Sequence, residues 1–129
     1  MSSPQDLRYT RTHEWVRIDG DVATLGITDH AQEELGDITF LELPEAGESL
    51  TQAQPFGVVE SVKAASDVYA PVDGEVVERN ADVVDQPELV NSSPYEKAWL
   101  VKVRLADPSQ VDDLMDAAAY EAFAGEASH

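Results

Sequence analysis

The chain has 129 residues, is 43% hydrophobic and carries 26 acidic against eight basic side chains, for a net charge of −18. This length and hydrophobic content predict one domain with a proper core. The negative charge argues against nucleic acid and anionic membranes as partners, because its field repels both. It favours protein partners that offer basic docking surfaces.

The chain contains no cysteine, which excludes disulfides, thiolate zinc sites and a cysteine nucleophile. The first residues lack the basic region and apolar run of a signal peptide, so a cytoplasmic location is expected. Two explanations of the acidity remain open. One is a carrier surface that meets basic partners. The other is adaptation to a high-salt cytoplasm, which suits a chain with only three lysines, Lys63, Lys97 and Lys102.

The predicted elements begin with a hairpin of strands over residues 15–18 and 22–27. The two strands flank an Asp-Gly pair, which favours the positive φ of a tight turn. A short helix follows, because Thr28 is a good N-cap residue and Gly36 suits the left-handed position after a helix.

Five more strands are predicted from apolar patterns between turns rich in glycine and proline. They cover residues 38–43, 56–62, 68–72, 75–78 and 99–105. Pro71 would confine its strand to an edge or a bulge. Asp107, Pro108 and Gln110 form a capping-box pattern that opens a C-terminal helix over about 108–124, followed by a short tail. The pattern predicts a mainly β sandwich or barrel with peripheral helices, in a single domain spanning 1–129.

Lys63 lies between two strand patterns and has small neighbours, so its amine is expected to be accessible. Taken alone, it would be an ordinary surface lysine. The three histidines, His13, His30 and His129, do not follow metal-ligand spacing, and His13-Glu14 does not open an HExxH motif because no second histidine follows at position 17. No metal site and no catalytic Ser-His-Asp set are expected.

The segment from Glu60 to Val76 reads ESVKAASDVYAPVDGEV and resembles the lipoyl-lysine segment of the glycine cleavage system H protein family. The likeness extends along nearly the whole chain. It includes Thr12-His13-Glu14-Trp15-Val16, Gly26-Ile27-Thr28-Asp29-His30-Ala31-Gln32, Leu35-Gly36-Asp37-Ile38, Leu41-Glu42-Leu43-Pro44 and Asn91-Ser92-Ser93-Pro94-Tyr95. One departure is Ala98, where the family usually has glycine.

The resemblance implies a barrel-sandwich hybrid that presents Lys63 on a hairpin tip, with lipoate attached covalently to its amine. The chain would be a carrier and not an enzyme. Glu60 and Asp67 would flank the lysine for recognition by the lipoate-attaching enzyme. Thr12, Glu14 and Asp67 are candidates for a cleft that holds the loaded arm, where a carboxylate pairs with the cationic cargo and water is excluded.

The family's partners follow from the same resemblance. A pyridoxal-phosphate glycine decarboxylase releases carbon dioxide and passes the aminomethyl group to the carrier. An aminomethyltransferase moves the one-carbon unit to tetrahydrofolate, and dihydrolipoamide dehydrogenase reoxidises the carrier. A lipoyl arm tethered to the carrier visits the three enzymes in turn, so the reactive intermediate does not have to diffuse freely from one to the next. The carrier itself is expected to be a monomer.

Three alternatives compete with this interpretation. Biotinyl lysines typically lie between two methionines, whereas Val62 and Ala64 flank this lysine. Lipoyl domains of 2-oxoacid dehydrogenases share the acidic residue found here as Glu60, but they usually carry aspartate immediately before the lysine and lack the extra helices. The last alternative is a lipoyl relay, which donates its lipoyl group to other carriers.

Overall fold

The computed structural model describes residues 4–127, and this part of the chain forms nine β-strands, four α-helices and one 3-10 helix. The strands are β1 Arg8–Tyr9, β2 Glu14–Asp19, β3 Val22–Ile27, β4 Ile38–Glu42, β5 Ser49–Leu50, β6 Pro55–Ser61, β7 Ala65–Tyr69, β8 Gly74–Arg79 and β9 Val101–Leu105. The helices are α1 Asp29–Leu35, α2 Ala81–Asp85, α3 Leu89–Ser92, the 3-10 helix Pro108–Asp113 and α4 Ala117–Ala127.

The strands form two antiparallel sheets. The larger has the order β1-β2-β3-β9-β8-β5 and the smaller the order β4-β6-β7. Their inner faces enclose one apolar core, in which Leu25, Leu41, Val59 and Val103 are almost fully buried. Burial of such side chains contributes about 1.5–3 kcal/mol each. The predicted mainly β sandwich or barrel with peripheral helices is confirmed.

A second apolar cluster joins the C-terminal helix to the first hairpin. Tyr9 and Trp15 of that hairpin pack with Ala117, Tyr120 and Ala124 of α4. The rings of Tyr9 and Tyr120 stack with centroids 4.6 Å apart. This cluster matters for the site because it fixes α4 against the turn that precedes β2.

The predicted short helix is confirmed together with both of its caps. The hydroxyl oxygen of Thr28 accepts a hydrogen bond from the backbone N–H of Ala31, and Gly36 ends the helix with φ of 80°. Local chemistry suffices here, because an N-cap oxygen satisfies an otherwise free N–H and glycine tolerates positive φ.

The predicted strand 68–72 is wrong in its bounds, because β7 covers Ala65–Tyr69 and Pro71 follows it. Ala65 pairs with Glu60 and Ser66 with Val59. These two small residues therefore belong to the sheet, although both lay outside the predicted strands. Pairing with β6 supplies the strand conformation that their own propensities do not.

The single C-terminal helix predicted over 108–124 is also wrong. The chain instead forms the 3-10 helix, leaves it after Asp113, and begins α4 at Ala117. Between them, Met115 exchanges two backbone hydrogen bonds with Tyr9, of 2.8 and 2.9 Å. This bridge breaks the helical periodicity. Asp107 does cap the 3-10 helix, but Gln110 accepts from the N–H of Asp73 and does not close a capping box.

The predicted tail 125–129 overlaps α4, which continues to Ala127; residues 128 and 129 lie outside the described part of the chain. Among residues 4–127, no helix is long and apolar enough to cross a membrane.

Candidate functional site

Lys63 lies in the short connection between the antiparallel strands β6 and β7. Ser61 holds this connection: its N–H donates to the carbonyl of Ala64 over 2.8 Å. Its hydroxyl oxygen accepts from the N–H groups of Lys63 and Ala64, both over 3.2 Å. Lys63 is exposed, and its neighbour Val62 keeps 68% of its surface accessible. The lysine is therefore held on an ordered backbone with its side chain open to an incoming enzyme.

The side chain of Lys63 rests against the end of α1. Its Nζ donates to the carbonyl oxygen of Glu34 over 3.3 Å. The aliphatic part of the lysine side chain passes Gly36. A β-carbon on residue 36 would lie 3.4 Å from Cε of Lys63, in van der Waals contact. An acylated lysine keeps one N–H at Nζ, so this contact is compatible with an amide at that position.

Asn91 of α3 fixes the turn beneath Lys63. Its side-chain amide donates to the carbonyl of Gly36 and to the side-chain oxygen of Gln32, and its oxygen accepts from the N–H of Ile38, all three over 2.9 Å. The base of the lysine side chain therefore meets a rigid surface, although Asn91 lies far away in the sequence.

Glu60 and Asp67 lie on the outer face of the smaller sheet. Glu60 is opposite Ala65, and Asp67 is opposite Val58. Glu60 and Val58 project to the same side of β6, so the two carboxylates occupy adjacent rows. Both are exposed. They are thus available beside Lys63 to an enzyme that binds this face.

Thr12 and Glu14 line a cleft with a volume of about 460 Å³, which lies beyond the far end of β7. Its remaining walls come from the end of β1 and the turn after it, the β5–β6 connection, the end of β7 with the segment that follows, and the stretch before α4: Tyr9, Thr10, Arg11, Gln52, Ala53, Tyr69, Ala70, Pro71, Asp113, Leu114 and Met115. The lining is mostly apolar around the carboxylate of Glu14. Such a pocket suits a partly apolar ligand with one polar group.

Glu14 is buried, with only 2% of its surface exposed. The hydroxyls of Thr10 and Thr12 both donate to Oε1, and the N–H of Tyr69 donates to Oε2 over 3.2 Å. Burial raises the pKa of Glu14 above its ordinary value, and the hydrogen bonds from Thr10, Thr12 and Tyr69 oppose that shift. A carboxylate that is poorly hydrated but well oriented is an effective partner for a cation.

Asp67 does not join Thr12 and Glu14 in this cleft. Its side chain lines a separate cavity of about 320 Å³ on the outer face of the smaller sheet, together with Glu42 and Phe56. The structure therefore unites two of the three predicted cleft residues and places the third on the neighbouring face.

Sequence reasoning missed two donors to Glu14. Thr10 stands four residues before it, and the spacing Thr10, Thr12, Glu14 was an available but ambiguous signal. The backbone N–H of Tyr69 gave no signal, because any residue could supply it.

Within residues 4–127, no three histidine, aspartate or glutamate side chains are grouped to hold a metal. The rings of His13 and His30 are tilted by 35° with centroids 4.5 Å apart, and His129 lies outside the described residues.

Comparison with known proteins shows which family this chain is similar to. Residues 7–127 match the family model described as "Glycine cleavage H-protein". The chain is 55% identical to the glycine cleavage system H protein of Staphylococcus carnosus over 126 residues, covering 98% of this chain and 100% of that one. It is 57% identical to the Brevibacillus brevis protein of the same name, with the same coverage. The crystal structure of a glycine cleavage system H protein from Mycobacterium marinum superposes with a TM-score of 0.86 at 38% identity, covering 98% and 100% of the two chains.

Proposed function

The chain belongs to the glycine cleavage H-protein family, whose members are lipoyl carriers and not enzymes, and from this premise we propose that Lys63 carries the lipoate. The single observation that best supports Lys63 is its exposed amine on the ordered connection between β6 and β7. Lys97 and Lys102 are the only other lysines. Lys102 lies over the ring of Trp99, 5.0 Å from its centroid.

The chain's own residues would serve the attachment in two ways. Ser61 orders the backbone around the lysine, so an attaching enzyme need not freeze a mobile loop and less conformational entropy is lost on binding. Glu60 and Asp67 would contact that enzyme beside the lysine. When attached, lipoate supplies the sulfur chemistry that accepts the aminomethyl group.

Peptide mapping by mass spectrometry tests the attachment. In chain produced in cells with active lipoylation, we expect a lipoyl mass increment on the peptide that contains Lys63. The peptides that contain Lys97 and Lys102 serve as internal controls and should remain unmodified. An unmodified Lys63 in such cells would contradict the proposal. Transfer of the lipoyl group from Lys63 to other carriers would support a relay role instead.

The cleft of Thr12 and Glu14 is proposed as the place where the cationic cargo is held. Tyr69, at the end of β7, forms part of its wall, and β7 spans only ~13 Å at ~3.3 Å per residue. A lysine extended by an acyl chain can cross such a distance. Glu14 would pair with the ammonium, and the apolar walls would exclude the water that releases the carbon as formaldehyde.

Glu14→Gln tests the cleft. We expect the loaded carrier to decay about tenfold faster, because a charge-assisted hydrogen bond of ~1.5 kcal/mol is lost. Mass spectrometry of the loaded chain over time measures the decay. The variant should also unfold at higher temperature, with a gain of about 1 kcal/mol, because a neutral amide avoids the cost of burying an ionised carboxylate.

The sign of the stability effect follows from the raised pKa of Glu14. Because the pKa of Glu14 is higher in the folded than in the unfolded chain, ionised Glu14 lowers the free energy of unfolding at neutral pH. This penalty disappears as the pH falls through the folded pKa towards the unfolded one. The advantage of the glutamine variant should therefore shrink on acidification. Glu75→Gln, at an exposed position on β8, is the matched control for charge. Equal lifetimes of wild type and Glu14→Gln would make Glu14 a bystander.

The partners are proposed on the same premise. The family works with the other enzymes of the glycine cleavage system; the specific partners proposed are the glycine decarboxylase, the aminomethyltransferase, the dihydrolipoamide dehydrogenase and the lipoate-attaching enzyme. A cytoplasmic location is part of this proposal.

A further inference from the structure

The turn between β1 and β2 contains a residue in an unfavourable backbone conformation. Thr10 accepts from the N–H of His13 over 3.2 Å, and its own N–H donates to the carbonyl of Glu14 over 3.0 Å. His13 has φ of 70°, in the left-handed region. In turns of this kind glycine is the usual residue, because the left-handed conformation costs other residues roughly 1–2 kcal/mol. The side chain of His13 must therefore contribute something that glycine could not.

That contribution is a hydrogen bond to the C-terminal helix. Nδ1 of His13 lies 2.7 Å from the hydroxyl oxygen of Tyr120, which lies 2.7 Å from the hydroxyl oxygen of Thr28. The hydroxyl oxygen of Thr28 accepts from the N–H of Ala31, and its own proton can be donated to the hydroxyl oxygen of Tyr120. Tyr120 then donates to His13. Every donor in this series is satisfied only when His13 is neutral and Nδ1 carries no proton.

The surroundings of His13 also favour its neutral form. Burial lowers the pKa of His13, the like charge of protonated His30 lowers it further, and the carboxylate of Glu34 opposes both. Glu34 is itself close to His30, with Oε1 2.9 Å from Nε2. Burial raises the pKa of Tyr120, so its hydroxyl is a proton donor throughout the neutral range.

On the α4 side, Tyr120 is the titratable group that contacts His13. The ring of Phe123 lies beside the imidazole of His13, with centroids 5.9 Å apart. The guanidinium of Arg11 lies 5.5 Å from the centroid of the Phe123 ring. Protonation of His13 would place a second donor against the Tyr120 hydroxyl, which already accepts from Thr28. The hydrogen bonds could then not all be kept.

The same turn sets the environment of Glu14. Thr10 and Thr12 belong to it, and their hydroxyls are both donors to Oε1 of Glu14. The carbonyl of His13 accepts from the N–H of Thr28 over 3.0 Å. A change in the turn at His13 would therefore alter the donors that orient the carboxylate in the cleft.

We propose that His13 is a positioning residue for the cleft: neutral, it is held by Tyr120 and maintains the turn that gives Glu14 two hydroxyl donors, and protonated, it releases that turn. The importance of this for cargo rests on the proposed function, but the coupling itself belongs to the unmodified chain. Acid would thus loosen the cleft through a residue that does not touch the cargo.

The test is a pH titration of unmodified chain by NMR, following the imidazole of His13 and the side-chain carboxyl of Glu14. In wild type, the Glu14 signal should show a second step at the pH at which His13 titrates. In Tyr120→Phe, which lacks the donor to Nδ1, His13 should bind its proton about tenfold more tightly. The second step of Glu14 should disappear in this variant, because protonation of His13 no longer breaks a hydrogen bond to residue 120.

Tyr9→Phe is the matched control, because it removes a hydroxyl from the other ring of the stacked pair. That hydroxyl donates to the carbonyl of Pro4 over 2.6 Å and not to His13. The titration of His13 should be unchanged in this variant. His13→Gly is a second test, since glycine tolerates the left-handed conformation. It should fold and lose the second step of Glu14.

The sign of the stability effect provides another readout. Burial lowers the pKa of His13 in the folded chain. Neutral His13 therefore contributes to the free energy of unfolding above the unfolded pKa of about 6.5, and this contribution is lost as the pH falls through the folded pKa. The free energy of unfolding of wild type minus that of His13→Gly should fall over that interval. A single-step titration of Glu14 in wild type would overturn the proposal. So would a Tyr120→Phe variant that is destabilised while both titrations stay in place. Because the chain is unmodified, either result would leave the attachment of lipoate to Lys63 untouched.

Discussion

Lys63→Arg is expected to abolish glycine-dependent carrier activity completely while the chain stays folded. Arginine keeps the positive charge, but its guanidinium does not form the amide that attaches lipoate. Lys63 is exposed, and its Nζ donates to a backbone carbonyl at the end of α1. A substitution at such a position changes stability by about 0.5 kcal/mol or less. Glycine-dependent carbon dioxide exchange with the decarboxylase, together with thermal unfolding, measures both effects.

Lys97→Arg is the matched control for this substitution. Lys97 is also exposed, but it lines a separate surface pocket beside α2, together with Trp99. The control should retain full exchange. Residual exchange by the Lys63 variant at more than a trace level would show that another group accepts lipoate. A loss of exchange in both variants would point to general disturbance and not to attachment.

Gly26→Ala is expected to lower the free energy of unfolding by about 3 kcal/mol through overpacking. A β-carbon at this position would lie 2.5 Å from the indole ring of Trp15, which is fully buried. The indole is not free to move away, because its N–H donates to the carbonyl of Pro94 over 2.9 Å and the guanidinium of Arg17 lies 5.0 Å from its centroid. Chemical denaturation measures the loss.

Gly20→Ala is the control for the backbone term alone. Gly20 has φ of 65°, and a β-carbon there would meet no atom within 4 Å. This substitution should cost only the left-handed penalty of roughly 1–2 kcal/mol. If Gly26→Ala cost no more than Gly20→Ala, the ring of Trp15 would not be held as tightly as its contacts indicate.

Short-range signals predicted the elements that depend on neighbours in the chain. Thr28 and Gly36 bounded α1 correctly, because capping involves groups only a few residues apart. The same signals failed for the C-terminal helix. There, Met115 pairs with Tyr9, and a residue more than a hundred positions away interrupts an otherwise helical pattern.

The candidate site divides in the same way. Lys63 was identified from its sequence context and a family resemblance, and its neighbours in the chain build the connection that presents it. The cleft required long-range contacts. Glu14 owes one donor to Tyr69 in another sheet. Asp67 is separated from Thr12 and Glu14 because β7 contributes residues to two different cavities: Tyr69 to theirs and Asp67 to the other.

The amino-acid sequence identifies an acidic, mainly β chain with helix caps in place and a lysine segment typical of one carrier family. It could do so because composition, alternation and capping act over a few residues. The hydrogen bond between His13 and Tyr120, and the support that Asn91 gives to the turn beneath Lys63, could be found only from the folded chain. Those contacts join residues that are adjacent in space and distant in the chain, as does the hydrogen bond from the N–H of Tyr69 to the buried carboxylate of Glu14.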